Sequence, residues 1–144
     1  MSDPLYRKEV LRLAADATGA GRLPHACSTG RAFNPACGDR VTVDIALEEG
    51  RISGIAHDTK ACVLTQASAA ILGSELVGLS RGEVSILREH VAAMLRGGES
   101  PPAPFDVVSV FEGVTQHTNR HTCVLLPLDA VLSAFEASET SEPG

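Results

Sequence analysis

Apolar and polar residues alternate most clearly in the middle of the chain, where Val41, Val43, Ile45 and Leu47 are spaced by mostly polar neighbours. After Glu49-Gly50 the apolar pattern returns from Ile52 to Ala56. A period of two sends successive side chains to opposite faces, so this stretch predicts a β-hairpin with one buried face and a turn at Glu49-Gly50. Elsewhere the period is helical. Tyr6, Val10 and Leu13 follow Asp3-Pro4, an N-cap and first-turn pair, and predict a first helix that ends before Gly19 and Gly21. Residues 22–33 read as loop plus one short strand. From Cys62 onward, Val63, Ala67, Ala70 and Ile71 line one side of a second helix ending near Gly78, with Cys62 in its first turn. Ser80 and Glu83 form a capping box for a third helix, striped by Val84, Leu87, Val91 and Met94 and closed by Gly97-Gly98. Pro101, Pro102 and Pro104 interrupt the chain. Beyond them Val107, Val108, Phe111 and Val114 predict a short extra helix, and Leu128, Val131, Leu132 and Phe135 predict a last one after Pro127.

Strands come early and helices follow, without the alternation a parallel sheet demands. The expected class is therefore α+β: a small antiparallel sheet of about three strands with helices packed on one face. The 144 residues suit one domain, expected over 1–137, with 138–144 as a flexible polar tail. There is no internal repeat at a fixed period, and no heptad run long enough for a coiled coil.

Composition mainly excludes. With 12 basic and 18 acidic residues the formal charge is -6, and aromatics are 3% of the chain. Neither a basic footprint nor a stacking platform for nucleic acid is present. No run of about 18 apolar residues occurs, and the first residues lack a basic segment followed by an apolar one, so a cytoplasmic protein without a membrane span is expected. Reducing thiol pools there keep cysteines free. Cys27, Cys37, Cys62 and Cys123 are accordingly better candidates for ligands or nucleophiles than for disulfides.

Asn34-Pro35-Ala36-Cys37-Gly38-Asp39 sets a thiol and a carboxylate two residues apart in a turn just ahead of the hairpin. A divalent cation offsets the repulsion between two such anions, although an ordinary turn with a bystander cysteine uses the same residues. Cys62 stands where a strand meets a helix, and a helix N-terminus stabilises a thiolate. Cys123 lies between the His117–His121 segment and the last predicted helix. Each alone also fits a small buried hydrophobe. The wide spacing of Cys37, Cys62 and Cys123 matches no local zinc-finger pattern, so only a fold that brings distant segments together could make one site of them. His117 and His121 are alternative ligands in place of Asp39, and His57 is a candidate supporting group. Lys60 is placed to favour the Cys62 thiolate or simply to be solvated. His25 and His90 read as surface residues, and Cys27 as a free thiol.

These residues resemble the U-type iron–sulfur cluster assembly scaffolds, the family of IscU, the NifU N-terminal domain and SufU. The resemblance starts at Leu5-Tyr6 and passes through Asn34-Pro35-Ala36-Cys37-Gly38-Asp39, Gly50-Arg51-Ile52, Ala61-Cys62 and Gln66-Ala67-Ser68-Ala69. It continues through Glu112-Gly113-Val114 to Arg120-His121-Thr122-Cys123-Val124-Leu125-Leu126-Pro127. It implies the family's small antiparallel sheet with packed helices, and a site of Cys37, Asp39, Cys62 and Cys123 holding a zinc ion or a [2Fe-2S] cluster. The long stretch from Cys62 to Cys123 and the presence of Arg120 look like the SufU branch. In that branch such residues hold zinc and the protein accepts sulfur from a cysteine desulfurase of the SufS/IscS kind, so Cys37, Cys62 and Cys123 are the candidate sulfur acceptors and apo-proteins the recipients. The activity is at most that of a zinc-dependent sulfurtransferase. Two features depart from the pattern: Asp58-Thr59-Lys60-Ala61 replaces a Gly-rich approach to the second cysteine, and the IscU branch's short chaperone-binding peptide is not recognisable. The competing expectations are a structural zinc-binding interaction module without sulfur transfer, and a metal-free protein whose cysteines only pack.

Overall fold

The hairpin forms where alternation predicts it. In a computed structural model, which describes residues 8–24, 26, 28–35, 38–103 and 105–141, strand β2 (Asp39–Glu48) pairs antiparallel with β3 (Arg51–Lys60). Glu49 and Gly50 turn the corner with φ of 54° and 78°, the two left-handed residues that match a tight hairpin to strand twist. The short strand expected within 22–33 is β1 (Ser28–Asn34), which pairs antiparallel with β2 and completes a sheet of order β1-β2-β3. Asp3-Pro4, Tyr6, His25, Cys27, Cys37 and Pro104 lie outside the described residues, as do 142–144.

Helices α1 (Lys8–Asp16), α2 (Val63–Glu75), α3 (Arg81–Leu95) and α4 (His121–Ser141) account for most of the remaining chain. The Ser80–Glu83 capping box is formed in both directions, and Arg51 joins it by donating to Glu83 at 2.6 Å. The extra helix exists as a 3-10 segment, Phe105–Val114, with Val108, Phe111 and Val114 buried. α4 packs on β1 and β2, and α2 on β3, so the helices lie on one face of the sheet. Val41, Val43 and Ile45 meet Leu64, Ala67, Ile71, Val131 and Phe135 there in one hydrophobic core.

Two expectations are corrected. α2 begins at Val63, which leaves Cys62 as its N-cap rather than in its first turn. The last helix does not start after Pro127 but at His121, with Pro127 inside it. Pro127 has no N–H to offer the carbonyl of Cys123, so a proline here weakens the regular helical ladder. The buried Ser68 hydroxyl on α2 braces this stretch by donating to the next carbonyl, that of Val124, at 2.6 Å. Burial of Cys123, Val124 and Leu126 in the core holds the turns before the proline in helical form. α4 runs to Ser141.

The opposite sheet face is crossed near Arg22 and Leu23. Asp44, on β2 and 1% exposed, accepts from Arg22 at 2.6 and 3.0 Å, from the Thr29 hydroxyl at 2.6 Å and from the Leu23 backbone at 3.2 Å. The Arg22 hydrogen bonds, with help from Thr29 and Leu23, outweigh burial and lower the Asp44 pKa to about 2. A carboxyl whose folded pKa is depressed stabilises the fold above its unfolded value, near pH 4, and loses that contribution as pH falls through about 2. Asp44→Ala is therefore expected to cost about 2 kcal/mol in urea unfolding at pH 7 and much less at pH 2.

Candidate metal centre

The same alternation that buries Val41, Val43 and Ile45 turns Asp39, two residues earlier on β2, toward the helices. Asp39 is 6% exposed. Cys62 arrives from the other side: β3 continues as strand through Asp58, Thr59 and Lys60, and Ala61 alone separates it from the cap of α2. The segment that replaces a Gly-rich approach is therefore ordered strand, which fixes the entry of Cys62. Cys123, 1% exposed, stands in the first turn of α4.

A carboxylate oxygen of Asp39 and the sulfurs of Cys62 and Cys123 all lie within 4.8 Å of one another. Zinc with sulfur ligands at about 2.3 Å spaces tetrahedral donors about 3.8 Å apart, so this set closes on an ion with small side-chain adjustments. Two soft thiolates and one oxygen suit zinc or an iron–sulfur centre better than magnesium or calcium, which prefer all-oxygen ligands. Asp39 and Cys123 are buried while Cys62 is half-buried, so Cys62 is the most accessible of the three. Cys37, expected beside them, lies outside the described residues.

The surroundings favour the Cys62 thiolate. The Cys62 thiol is lowered to about 6, first by its hydrogen bond with Cys123, against burial that raises it, and then by the Thr65 hydroxyl and backbone. Asp39 opposes this shift. Thr65 sits 3.4 Å from the Cys62 sulfur and donates to Asp39 Oδ2 at 3.1 Å, while Asp39 Oδ1 accepts from the Cys62 backbone at 3.2 Å. The carboxylate thus caps α2 from a neighbouring strand. A capping box would place Glu at the third helical position; here that position holds Thr65, and β2 supplies the acid.

The other singled-out residues are elsewhere. His57 is 5% exposed and bridges Thr59 at 2.9 Å and the Thr18 carbonyl at 3.0 Å, tying the chain after α1 onto β3; burial lowers its pKa. His121 aims Nε2 at the carbonyls of Val114 and Thr115, at 3.2 and 3.1 Å. Neither His121 nor His117 belongs to the ligand cluster, which contains Asp39 instead. Lys60 is exposed at the end of β3 opposite Arg40, His90 is exposed on α3, and Arg120 closes the short 3-10 turn Thr118–Arg120 before α4. Thr65 is the residue that sequence reasoning missed. Its only signal was a hydroxyl three positions after Cys62, the spacing at which a helix cap and the third helical residue meet.

The model of the NifU-like N-terminal domain family matches residues 5–123, a span that includes Asp39, Cys62 and Cys123. The chain belongs to this family. Among its curated relatives is the iron–sulfur cluster assembly scaffold protein IscU of Thermotoga maritima, 25% identical over 132 residues that cover 92% of this chain and 93% of the relative. The IscU scaffold of Streptococcus pyogenes serotype M1 is 26% identical over 110 residues, covering 76% of this chain and 69% of the relative. The crystal structure of a NifU-like protein, N-terminal part, from Brucella abortus superposes with a TM-score of 0.90 at 29% identity, over 97% of this chain and 98% of that one. SufU of Fervidobacterium islandicum AW-1 shares the fold, with a TM-score of 0.84 at 21% identity over 94% of this chain and 99% of that one. In this NifU-like domain, as the sequence implies, a three-stranded antiparallel sheet carries helices in an α+β arrangement. Among the described residues, no helix is long and apolar enough to cross a membrane.

Proposed function

We propose that this protein is an iron–sulfur cluster assembly scaffold that holds zinc or a nascent [2Fe-2S] cluster on Cys37, Asp39, Cys62 and Cys123 and accepts sulfur from a cysteine desulfurase. The observation that carries the reading is the convergence of Asp39, Cys62 and Cys123 from three distant chain segments within 4.8 Å. Cys37, two residues before Asp39 in the sequence, is the proposed fourth donor. Membership of a family whose curated relatives are scaffold proteins supports the assembly role.

The residues suit sulfur acceptance. A bound metal keeps thiols deprotonated and shields them from oxidation. Cys62, half-buried and with its pKa lowered to about 6, is the most available nucleophile of the described pair. Its thiolate attacks the terminal sulfur of the desulfurase persulfide; a new S–S bond forms at Cys62, the donor's S–S bond breaks, and the donor cysteine leaves as thiolate. The terminal sulfur moves without net oxidation. Asp39, whose oxygen binds zinc less tightly than thiolate sulfur does, would be the weakest of the donors holding the metal. Recipient apo-proteins would take the finished cluster or the sulfur.

Incubation with a cysteine desulfurase and sulfur-labelled cysteine is expected to place label on a cysteine of this chain, removable by a thiol reductant and located by peptide mass analysis. Label absent from Cys37, Cys62 and Cys123 alike would rule out the acceptor role.

A further inference from the structure

Thr65 lies in none of the metal-ligand positions, yet it is fully buried at 0% exposure beneath two of them. A buried hydroxyl is costly unless it is bonded, and this one spends its single proton on Asp39 Oδ2, 3.1 Å away. The other oxygen, Oδ1, is held by the Cys62 backbone N–H at 3.2 Å. Both carboxylate oxygens are therefore held at the start of α2, one by its N-cap residue Cys62 and one by its third residue Thr65, and these two donors set the rotation of Asp39. The Thr65 oxygen also stands 3.4 Å from the Cys62 sulfur, so one side chain touches the oxygen donor and a thiol donor together.

We infer that Thr65 is a positioning residue for the metal centre, orienting the Asp39 carboxylate toward the point it shares with Cys62 and Cys123. This rests on the proposed metal-binding role. Groups that hydrogen-bond a ligating carboxylate fix its orientation, and their removal typically weakens metal binding about 10- to 100-fold. Thr65 is suited to the task because its helix, α2, packs against β3 and α4 and so offers a fixed donor to the Asp39 carboxylate on β2. Without the hydroxyl, Asp39 Oδ2 loses this donor while Oδ1 keeps the Cys62 N–H, so the carboxylate is less firmly oriented.

The test is a competition for zinc between the purified full chain and a chromophoric chelator, with thermal unfolding of the metal-free protein measured alongside. Thr65→Val is expected to lower zinc affinity about 10- to 100-fold, and Thr65→Ser, which restores the hydroxyl, to recover most of it. In an Asp39→Ala background, Thr65→Val is expected to change affinity less than about twofold, because the group it orients is gone. Unchanged affinity in Thr65→Val overturns the inference. So does an equal loss in both backgrounds, or a loss that Thr65→Ser does not repair, since either marks a purely structural residue. A wild-type chain that takes up no zinc or iron would instead remove the metal-binding role itself and this inference with it, an outcome distinct from a defect confined to the variants.

Discussion

Cys123→Ala is expected to abolish specific zinc binding, with affinity down by more than about 100-fold, while the chain keeps its helical circular-dichroism spectrum. Loss of a supporting hydrogen bond to a metal ligand already costs about 10- to 100-fold, and loss of a thiolate donor removes a bond rather than an adjustment. The fold survives because the change deletes one small buried atom from a core that spans both faces of α2 and α4. Zinc content after gel filtration and the circular-dichroism spectrum check both halves of this expectation. Retained binding at wild-type affinity would place the ion elsewhere in the molecule.

Gly30→Ala has the largest expected effect on stability: little soluble folded protein, or a loss of about 3 kcal/mol or more in urea unfolding. β1 passes so close to α4 that a Cβ at position 30 would overlap the Ala130 carbonyl and the Ala134 nitrogen, both of them backbone. No side chain can move aside to admit it. The Ser28 hydroxyl pins the same crossing by donating to the Ala134 carbonyl at 2.6 Å. Gly54→Ala serves as the contrast, because its added Cβ would meet Ala46 and Leu23 side chains at 3.6 and 3.7 Å, which is ordinary contact. That variant should fold with near-wild-type stability. The crossing also matters for the site, since α4 carries Cys123 and the sheet carries Asp39.

The parts of the fold that were legible in sequence are those settled by local physics. The period-two run from Val41 to Leu47 and the Glu49-Gly50 turn specify the hairpin, and Ser80 with Glu83 specifies the start of α3. Pro127 carries the ordinary signature of a first helical residue, so the sequence alone points to a later start for α4 than His121. Only tertiary contacts, the burial of Cys123 and Val124 and the bond from Ser68, show that the helix begins earlier and tolerates the proline. β1 was visible only as an indefinite short strand. Its residues mix glycine, arginine and asparagine, and its register is set by β2 and by the close approach of α4 at Gly30.

The candidate site divides in the same way. Asp39, Cys62 and Cys123 were recognisable from residue type and motif, but their meeting depends on pairing among β1, β2 and β3 and on the docking of α4. Thr65 was not recognisable, because the carboxylate it serves is 26 residues away in the chain and takes the place of a local capping acid. His57 drew attention through its nearness in sequence to Cys62. Its two hydrogen bonds, to Thr18 and Thr59, show a residue that fastens the segment after α1 instead.

X-ray absorption at the metal edge of anaerobically purified protein addresses the central claim most directly. The account predicts a metal-bound chain whose absorbing atom has sulfur neighbours at about 2.3 Å together with one lighter donor at about 2.0 Å, and loss of this sulfur-ligated metal from Cys62→Ala and Cys123→Ala. A coordination shell of nitrogen and oxygen alone, or one unchanged by either substitution, would contradict it.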